Sequence, residues 1–352
     1  MLPLNSYWRI IPVALMVVIL AACSFASTPA ETDTPAPAPT LTAPAEPTLE
    51  WQPELLSSLD HEEAVSSLAF SPDGEILASG LLPEVKLWDA AEGSLIYSRE
   101  HSNSVDDLGF SADGEILGAG RSTGGVMLSR AEDGEEVRQL HGGHDSRVAF
   151  SPNGQTVATG NREGVVWIWD IEAGELLTEL EHAEADYVTA LTYSPDGELL
   201  AAGYFDCVIR VWQLDDGSLL NTFERGGSAC PKNGLDFSPD GHFLAGAGSQ
   251  EEYEDVVKVW EVTEGNLTKM LPLSSESKDV AFSPDGQLLA VGAQDATTLW
   301  RVPDFTLVYT LDQVFEEGTH NWVECLAFSP DSVTLAVGRR QGSLELWKVV
   351  QD

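Results

Sequence analysis

The sequence predicts an all-β protein made of seven four-stranded units that close into a ring. Three observations carry that prediction. First, one string recurs seven times: Leu68-Ala-Phe70-Ser-Pro-Asp-Gly74, Leu108-Gly-Phe110-Ser-Ala-Asp-Gly114, Val148-Ala-Phe150-Ser-Pro-Asn-Gly154, Leu191-Thr-Tyr193-Ser-Pro-Asp-Gly197, Leu235-Asp-Phe237-Ser-Pro-Asp-Gly241, Val280-Ala-Phe282-Ser-Pro-Asp-Gly286 and Leu326-Ala-Phe328-Ser-Pro-Asp-Ser332. Its aromatic residues stand 40, 40, 43, 44, 45 and 46 residues apart. Second, a strand signature follows 18 to 23 residues after the aromatic in six repeats: Val85-Lys-Leu-Trp88, Val166-Trp-Ile-Trp169, Ile209-Arg-Val-Trp212, Val257-Lys-Val-Trp260, Thr298-Leu-Trp300 and Leu344-Glu-Leu-Trp347. Repeat 2 has Val126-Met-Leu-Ser129 in that place. Third, short alternating apolar runs separated by turn residues read as strands, not helices.

Each element has a physical reason. In Ser-Pro-Asp-Gly the proline presets φ, the aspartate bonds nearby backbone, and the glycine accepts positive φ, so the string fixes a tight turn after the first strand. The recurring Trp and Phe supply the bulk that packs one unit on the next; losing one such Trp costs about 3–5 kcal/mol by analogy with other core aromatics.

The period and the paired signatures resemble the WD40 repeat over nearly all of residues 52–350. The resemblance implies a seven-bladed β-propeller, all-β, as a domain over residues 52–352. The ends predict how the ring closes. The chain stops after the third strand of repeat 7, while Pro53-Glu-Leu-Leu-Ser-Ser-Leu59 mirrors Gly174-Glu-Leu-Leu-Thr-Glu-Leu180, the outer strand of blade 3. Residues 53–59 are therefore expected to pair with residues 343–349 and latch the propeller as a monomer. The family pattern is incomplete: the Trp-Asp pair stands only at Trp88-Asp89 and Trp169-Asp170, and the family histidine only at His61, His101 and His141, where a structural role is expected.

The amino terminus carries a different message. Arg9 precedes an apolar run, Ile10 to Leu20, too short for a comfortable membrane span but suited to a signal peptide. Leu20-Ala21-Ala22-Cys23 resembles the bacterial lipobox. The resemblance implies removal of residues 1–22 and lipidation of Cys23, hence an extracytoplasmic protein anchored to the outer face of the cytoplasmic membrane or to an outer membrane. Residues 23–51 are rich in Pro, Thr and Ala, a composition that cannot build a core, and read as an extended tether of up to roughly 80 Å.

The formal net charge is −39, from 57 acidic against 18 basic residues, which repels phosphate backbones and argues against a nucleic-acid partner. No cysteine pair has metal-ligand spacing, and no cofactor or metal is expected. Cys207 and Cys230 are a disulfide candidate, suited to an oxidising compartment; Cys325 reads as a buried thiol.

No nucleophile elbow, zinc-protease motif, phosphate-cradling loop or calcium loop is present, so an enzyme is not expected. In the family the Ser-Pro-Asp-Gly turns and the third-to-fourth-strand turns share one rim, acidic here. The second-to-third-strand turns and interblade links share the other. That upper rim collects Arg121, Arg162, Arg225, Arg339 and Arg340, with Arg147 at the channel mouth and Tyr204, Phe205 and Trp322 nearby. Arginine and aromatic residues are enriched at interface centres. These residues are the candidate contact surface for a protein or an anionic envelope component. Glu251-Glu-Tyr-Glu-Asp255 in blade 5 is expected as a solvated loop on the same rim. The alternative reading is a propeller enzyme or sugar-binding receptor using the central channel. Convergent polar groups there would favour it; a channel lined by Ala69, Gly109, Ala149, Asp236, Ala281 and Ala327 would not.

Overall fold

The computed structural model describes residues 51–350 apart from 62, 82, 142–143, 145–146, 182–186, 226–233, 252–253 and 312–321. Cys23, the signal segment and residues 24–50 lie outside the described residues, and so does Cys230.

Among the described residues, 28 strands form seven antiparallel four-stranded sheets, the blades of a propeller. Blade 1 shows the common plan: an innermost strand Ser67–Phe70, a second strand Ile76–Gly80, a third strand Glu84–Asp89 and an outermost strand Leu95–Glu100. Burial falls along that order. The second strand is almost wholly buried, the third alternates, and the outermost exposes Leu95 and Ile96. Small residues such as Ala78 and Ser79 in the second strand let neighbouring blades approach closely.

Blade 7 is completed from the opposite end of the fold, as the sequence implies. Glu54–Asp60 pairs antiparallel with Ser343–Lys348, placing Leu59 opposite Leu344 and Leu55 opposite Trp347. The seam is also apolar. Val65, Leu68, Leu77 and Trp88 of the first repeat pack in one cluster with Cys325, Leu344 and Leu346 of the last. Similar clusters join other neighbours; Val166, Ile168 and Leu180 of blade 3 meet Val188, Leu200 and Trp212 of blade 4.

Four of the signature tryptophans, Trp88, Trp169, Trp300 and Trp347, are tied into their own blades by indole hydrogen bonds. Trp88 Nε1 donates to Ser79 Oγ at 2.9 Å, and Trp169 Nε1 to Thr159 Oγ1 at 2.9 Å. His61 is buried and sets its ring edge against Trp88, with centroids 5.1 Å apart. His141, by contrast, is exposed.

On the lower rim every turn has the same wiring. In blade 1 the Ser71 hydroxyl donates to Asp73 Oδ1 at 2.6 Å and accepts from the Ile76 amide at 2.9 Å. The Ser71 and Glu75 donors hold the Asp73 carboxyl below its usual range. Neighbouring turns touch in sequence around the ring: Pro72 packs beneath Gly114 and Pro330 beneath Gly74, whose φ of 76° a side chain would strain. Ser332 replaces glycine in blade 7 at φ 63°, and its hydroxyl accepts the Asp285 amide at 2.9 Å.

The blade 5 insertion differs from expectation. It is not a simple loop: the second strand runs Phe243–Glu251 and the third Glu254–Glu261, with Gln250 opposite Asp255 and Glu251 opposite Glu254. The extra residues continue the ladder because backbone pairing satisfies their amides more completely than an unpaired loop would.

Candidate functional site: the upper mouth of the channel

The innermost strands begin at the upper end of the central channel. Each repeat places one residue there, immediately before the aliphatic residue of its string: Ser67, Asp107, Arg147, Ala190, Gly234, Asp279 and Cys325. With Asp106, Thr189, Lys278 and Glu324 from the preceding positions, they line a cavity of about 350 Å³. The small residues named from the sequence, such as Ala69 and Ala281, lie one step further along the strands. Charge therefore gathers above them, at the mouth.

Several of these side chains clip one blade to the next. Asp107 Oδ2 of blade 2 accepts the Val148 amide of blade 3 at 3.0 Å. Asp279 Oδ2 of blade 6 accepts the Leu326 amide of blade 7 at 2.7 Å, while its Oδ1 accepts its neighbour Val280 at 2.9 Å. Deeper in the channel, Asp236 Oδ2 of blade 5 accepts the Phe282 amide of blade 6 at 2.8 Å. The first link is made by Ser67, whose hydroxyl accepts the Leu108 amide at 3.0 Å.

Burial pushes Asp236 and Asp279 up to about 7, against the opposing pull of their amide donors. Asp107 is also raised by burial, with Arg147 opposing. A folded-state value near 7 against 3.8 unfolded means that the folded chain holds extra protons between those values, so stability falls as pH rises through that window and levels off above it. The lower-rim carboxyls act in the opposite sense and only in acid: Asp73, Asp113, Asp196 and Asp331 are depressed, chiefly by their serine donors, and lose their contribution as pH falls below the unfolded value. We expect the melting temperature to be lower by roughly 3–6 °C at about pH 8 than at about pH 5. Asp236→Asn with Asp279→Asn should flatten that slope in thermal melts. An unchanged slope would show that these two groups do not set it.

The arginines proposed from sequence divide sharply. Arg121, Arg225 and Arg339 are buried, as is Tyr204, and they do not present a contact surface. Their guanidiniums satisfy the protein instead. Arg121 donates to the Gly124 and Gly125 carbonyls, and Arg225 to the Tyr204 carbonyl at 2.9 Å and the Ala247 carbonyl at 3.1 Å. Arg339 pairs with Glu345 at 3.1 Å. Arg147 is buried too but lines the channel mouth. Arg162 is exposed in the second-to-third-strand turn of blade 3. Arg340 remains on the surface, its side chain 56% exposed, with its guanidinium 4.8 Å from the centroid of the Trp322 ring. Phe205 is half-buried and stacks on Tyr187 at 4.4 Å.

Sequence reasoning passed over Lys278, Glu324, Thr189 and the Asp106–Asp107 pair. The signal is a pair of columns: the residue before the aliphatic is small or apolar in blades 4, 5 and 7, so Asp107, Arg147 and Asp279 stand out once the repeats are aligned, and Asp106, Thr189, Lys278 and Glu324 occupy the position before it. Cys207 is disulfide-bonded, and Cys325 is the free cysteine among the described residues. The expected pairing to Cys230 falls on a residue outside them. Burial, reinforced by the Asp279 charge, pushes the Cys325 thiol well above its usual range, which keeps it an unreactive lining group.

The described residues form a closed ring of seven four-stranded blades with a charged upper mouth. The comparison with known families gives the class its name. Residues 53–89, 134–170, 174–213, 217–261, 273–299 and 307–348, together more than half of the chain, match the model described as "WD domain, G-beta repeat", and the chain belongs to the WD40-repeat family. The unmatched stretch, residues 90–133, contains most of blade 2, where Ser129 replaces the tryptophan. The chain is 30% identical over 119 residues to small ribosomal subunit protein RACK1y of Oryza sativa subsp. japonica, covering 33% of this chain and 34% of that one. It is 38% identical over 92 residues to WD repeat and SOCS box-containing protein 1 of Xenopus tropicalis, covering 26% and 21%. It is 24% identical over 124 residues to the target of rapamycin complex subunit LST8 of Mus musculus, covering 34% and 35%. The chain thus matches about a third or less of the length of these relatives.

Proposed function

We propose that this protein is a non-catalytic interaction scaffold that presents the upper face of its propeller to a protein or anionic envelope component, and that lipid on Cys23 holds it outside a bacterial cytoplasm. The observation that carries the reading is the surface cluster at the channel rim: Trp322 with the Arg340 guanidinium at 4.8 Å and Lys278 Nζ at 6.0 Å from its ring centroid. An indole with the exposed Arg340 guanidinium against it offers both apolar area and positive charge, the combination that dominates interface energetics. Lower-rim turns rich in Asp and Glu repel an anionic partner, leaving the upper face as its approach. The Arg340–Glu324 pair at 3.8 Å is exposed and weak enough to be exchanged for a partner's carboxylate. The family supports the reading, since the relatives' names describe a ribosomal subunit protein and a complex subunit.

Affinity capture from native envelopes, with the whole chain as bait, tests it. A bound component retained by the parent and lost from a folded Trp322→Ala, Arg340→Glu variant is the expected result. Equal capture by both would move the interface elsewhere. The same material tests the anchor: Cys23→Ser should release the chain from the membrane fraction.

The channel reading also has an observation in its favour, the charged mouth. Its Asp107 and Asp279, however, each accept a backbone amide across a blade boundary, which suits clips and a binding surface better than proton transfer. What remains of that reading is recognition of a small ligand.

A further inference from the structure

We propose that the upper mouth of the channel is a binding site for a small zwitterion of the amino-acid type, with the ligand carboxylate seated against Arg147 and Thr189 and its ammonium facing Asp279 and Glu324. This goes beyond the scaffold reading and stands or falls separately from it.

The anionic end is assigned by two buried groups that the protein leaves short of partners. Arg147 is 6% exposed and lines the cavity. Its Nη1 donates to the Asp106 carbonyl at 2.8 Å, but among the described residues its Nε has no hydrogen-bond partner and no carboxylate lies within ion-pair distance of it. Thr189, 2% exposed on the adjacent blade, lines the same cavity, and its hydroxyl is likewise unpartnered. Leaving a guanidinium edge and a hydroxyl unmatched in a buried setting is costly. The guanidinium presents a planar fork that matches a carboxylate, and the neighbouring hydroxyl adds one more donor. Among the other buried arginines, Arg225 donates to two carbonyls, though its Nε is also unpartnered, and Arg339 binds a carboxylate, whereas Arg147 donates to one carbonyl and faces the cavity.

The cationic end is assigned by charge. Four carboxyls, Asp106, Asp107, Asp279 and Glu324, line the cavity against Arg147 and Lys278; burial raises Asp107 and Asp279, and an ammonium group beside them favours their ionised form and with it an excess of negative charge. Lys278 is already engaged with Glu276 at 2.8 Å, which reduces its claim on the mouth carboxylates. Asp107 and Asp236 each add to the unfavourable potential at Asp279, so an ammonium group near Asp279 relieves a repulsion built into the ring. A purely anionic ligand meets that excess, and a purely cationic one leaves Arg147 unmatched. The volume of about 350 Å³ lies at the small end for ligand pockets and favours a single small molecule over an oligosaccharide. An amino acid with a second ammonium group, such as lysine, fits the charge excess best.

Isothermal titration of the whole chain with L-lysine, acetate and n-butylammonium tests the proposal. L-lysine should bind, and each half-ligand should bind at least tenfold more weakly, a difference of about 1.4 kcal/mol or more. Arg147→Gln should weaken L-lysine at least tenfold while leaving n-butylammonium unchanged. Thr189→Val, which keeps shape and removes only the hydroxyl, should weaken L-lysine severalfold and serves if the arginine variant does not fold. Absence of lysine binding, or n-butylammonium binding as tightly as lysine, would overturn the proposal. So would insensitivity of lysine to both substitutions. Partner capture through Trp322 and Arg340 is unaffected by these results, so the two readings fail separately.

Discussion

Deletion of Glu54–Asp60 is expected to open the ring and remove cooperative unfolding of blade 7 and its neighbours. The segment supplies the outer strand of that blade and pairs along Ser343–Lys348. Leu59 packs against the seam cluster, and Trp51, just before the strand, packs against the cluster joining blades 6 and 7. Ladder bonds worth about 1 kcal/mol each sum to a loss on the order of 5 kcal/mol. For a domain of this size that is a fall of roughly 10 °C or more in melting temperature. Without its partner, Ser343–Lys348 becomes an unprotected edge, and self-association should follow. Calorimetry and light scattering read both effects. A deletion variant that stays monomeric and melts within a few degrees of the parent would show that the strand is dispensable for closure.

Glu345→Gln is expected to cost about 3–5 kcal/mol, because it removes the carboxylate charge that the buried Arg339 guanidinium bonds through two nitrogens. Arg339 is fully buried; Glu345 receives its Nε at 3.1 Å and its Nη2 at 3.2 Å. The same carboxylate accepts Trp347 Nε1 at 3.0 Å, so one acid orders both the guanidinium and the indole of blade 7. Burial depresses the Arg339 proton affinity while Glu345 supports it, as expected for a pair whose members depend on one another. Replacing both partners with apolar residues, Arg339→Met with Glu345→Leu, should recover most of the loss. Urea unfolding of the three variants measures this. Equal destabilisation by single and double replacements would mean that packing, not charge, governs the site.

The repeats made the fold legible because each element announced itself seven times. The string marks the lower turns, the Trp signature marks the third strands, and the match of Pro53–Leu59 to Gly174–Leu180 marks the seam. The binding surface was far less legible. Arginine is usually a surface residue, and Arg121 and Arg339 sit where the second strands run into turns, so they read as exposed. They occupy one register column with Leu81, Asn161, Tyr204 and Ala293, all buried. The apolar members of that column are the signal that it faces inward.

Arg225 carries a similar lesson. It follows the outer strand of blade 4 as His61 and His101 follow theirs, and its amide bonds the Cys207 carbonyl as theirs bond Gly342 and Pro83. The family histidine is thus replaced in blade 4 by a buried arginine. A fixed count back from the aromatic misses it because the interblade link is longer there. Link length varies freely on the surface, whereas the strand that ends at this position does not.

Hydrogen exchange of the whole chain with and without its captured partner is the most direct test that the upper face is the working surface. Protection should concentrate on the segments around Trp322–Glu324, Arg339–Gly342 and Tyr204–Cys207, with the Ser-Pro-Asp-Gly turns unchanged. Protection confined to those lower turns, with the upper rim exchanging freely, would contradict it.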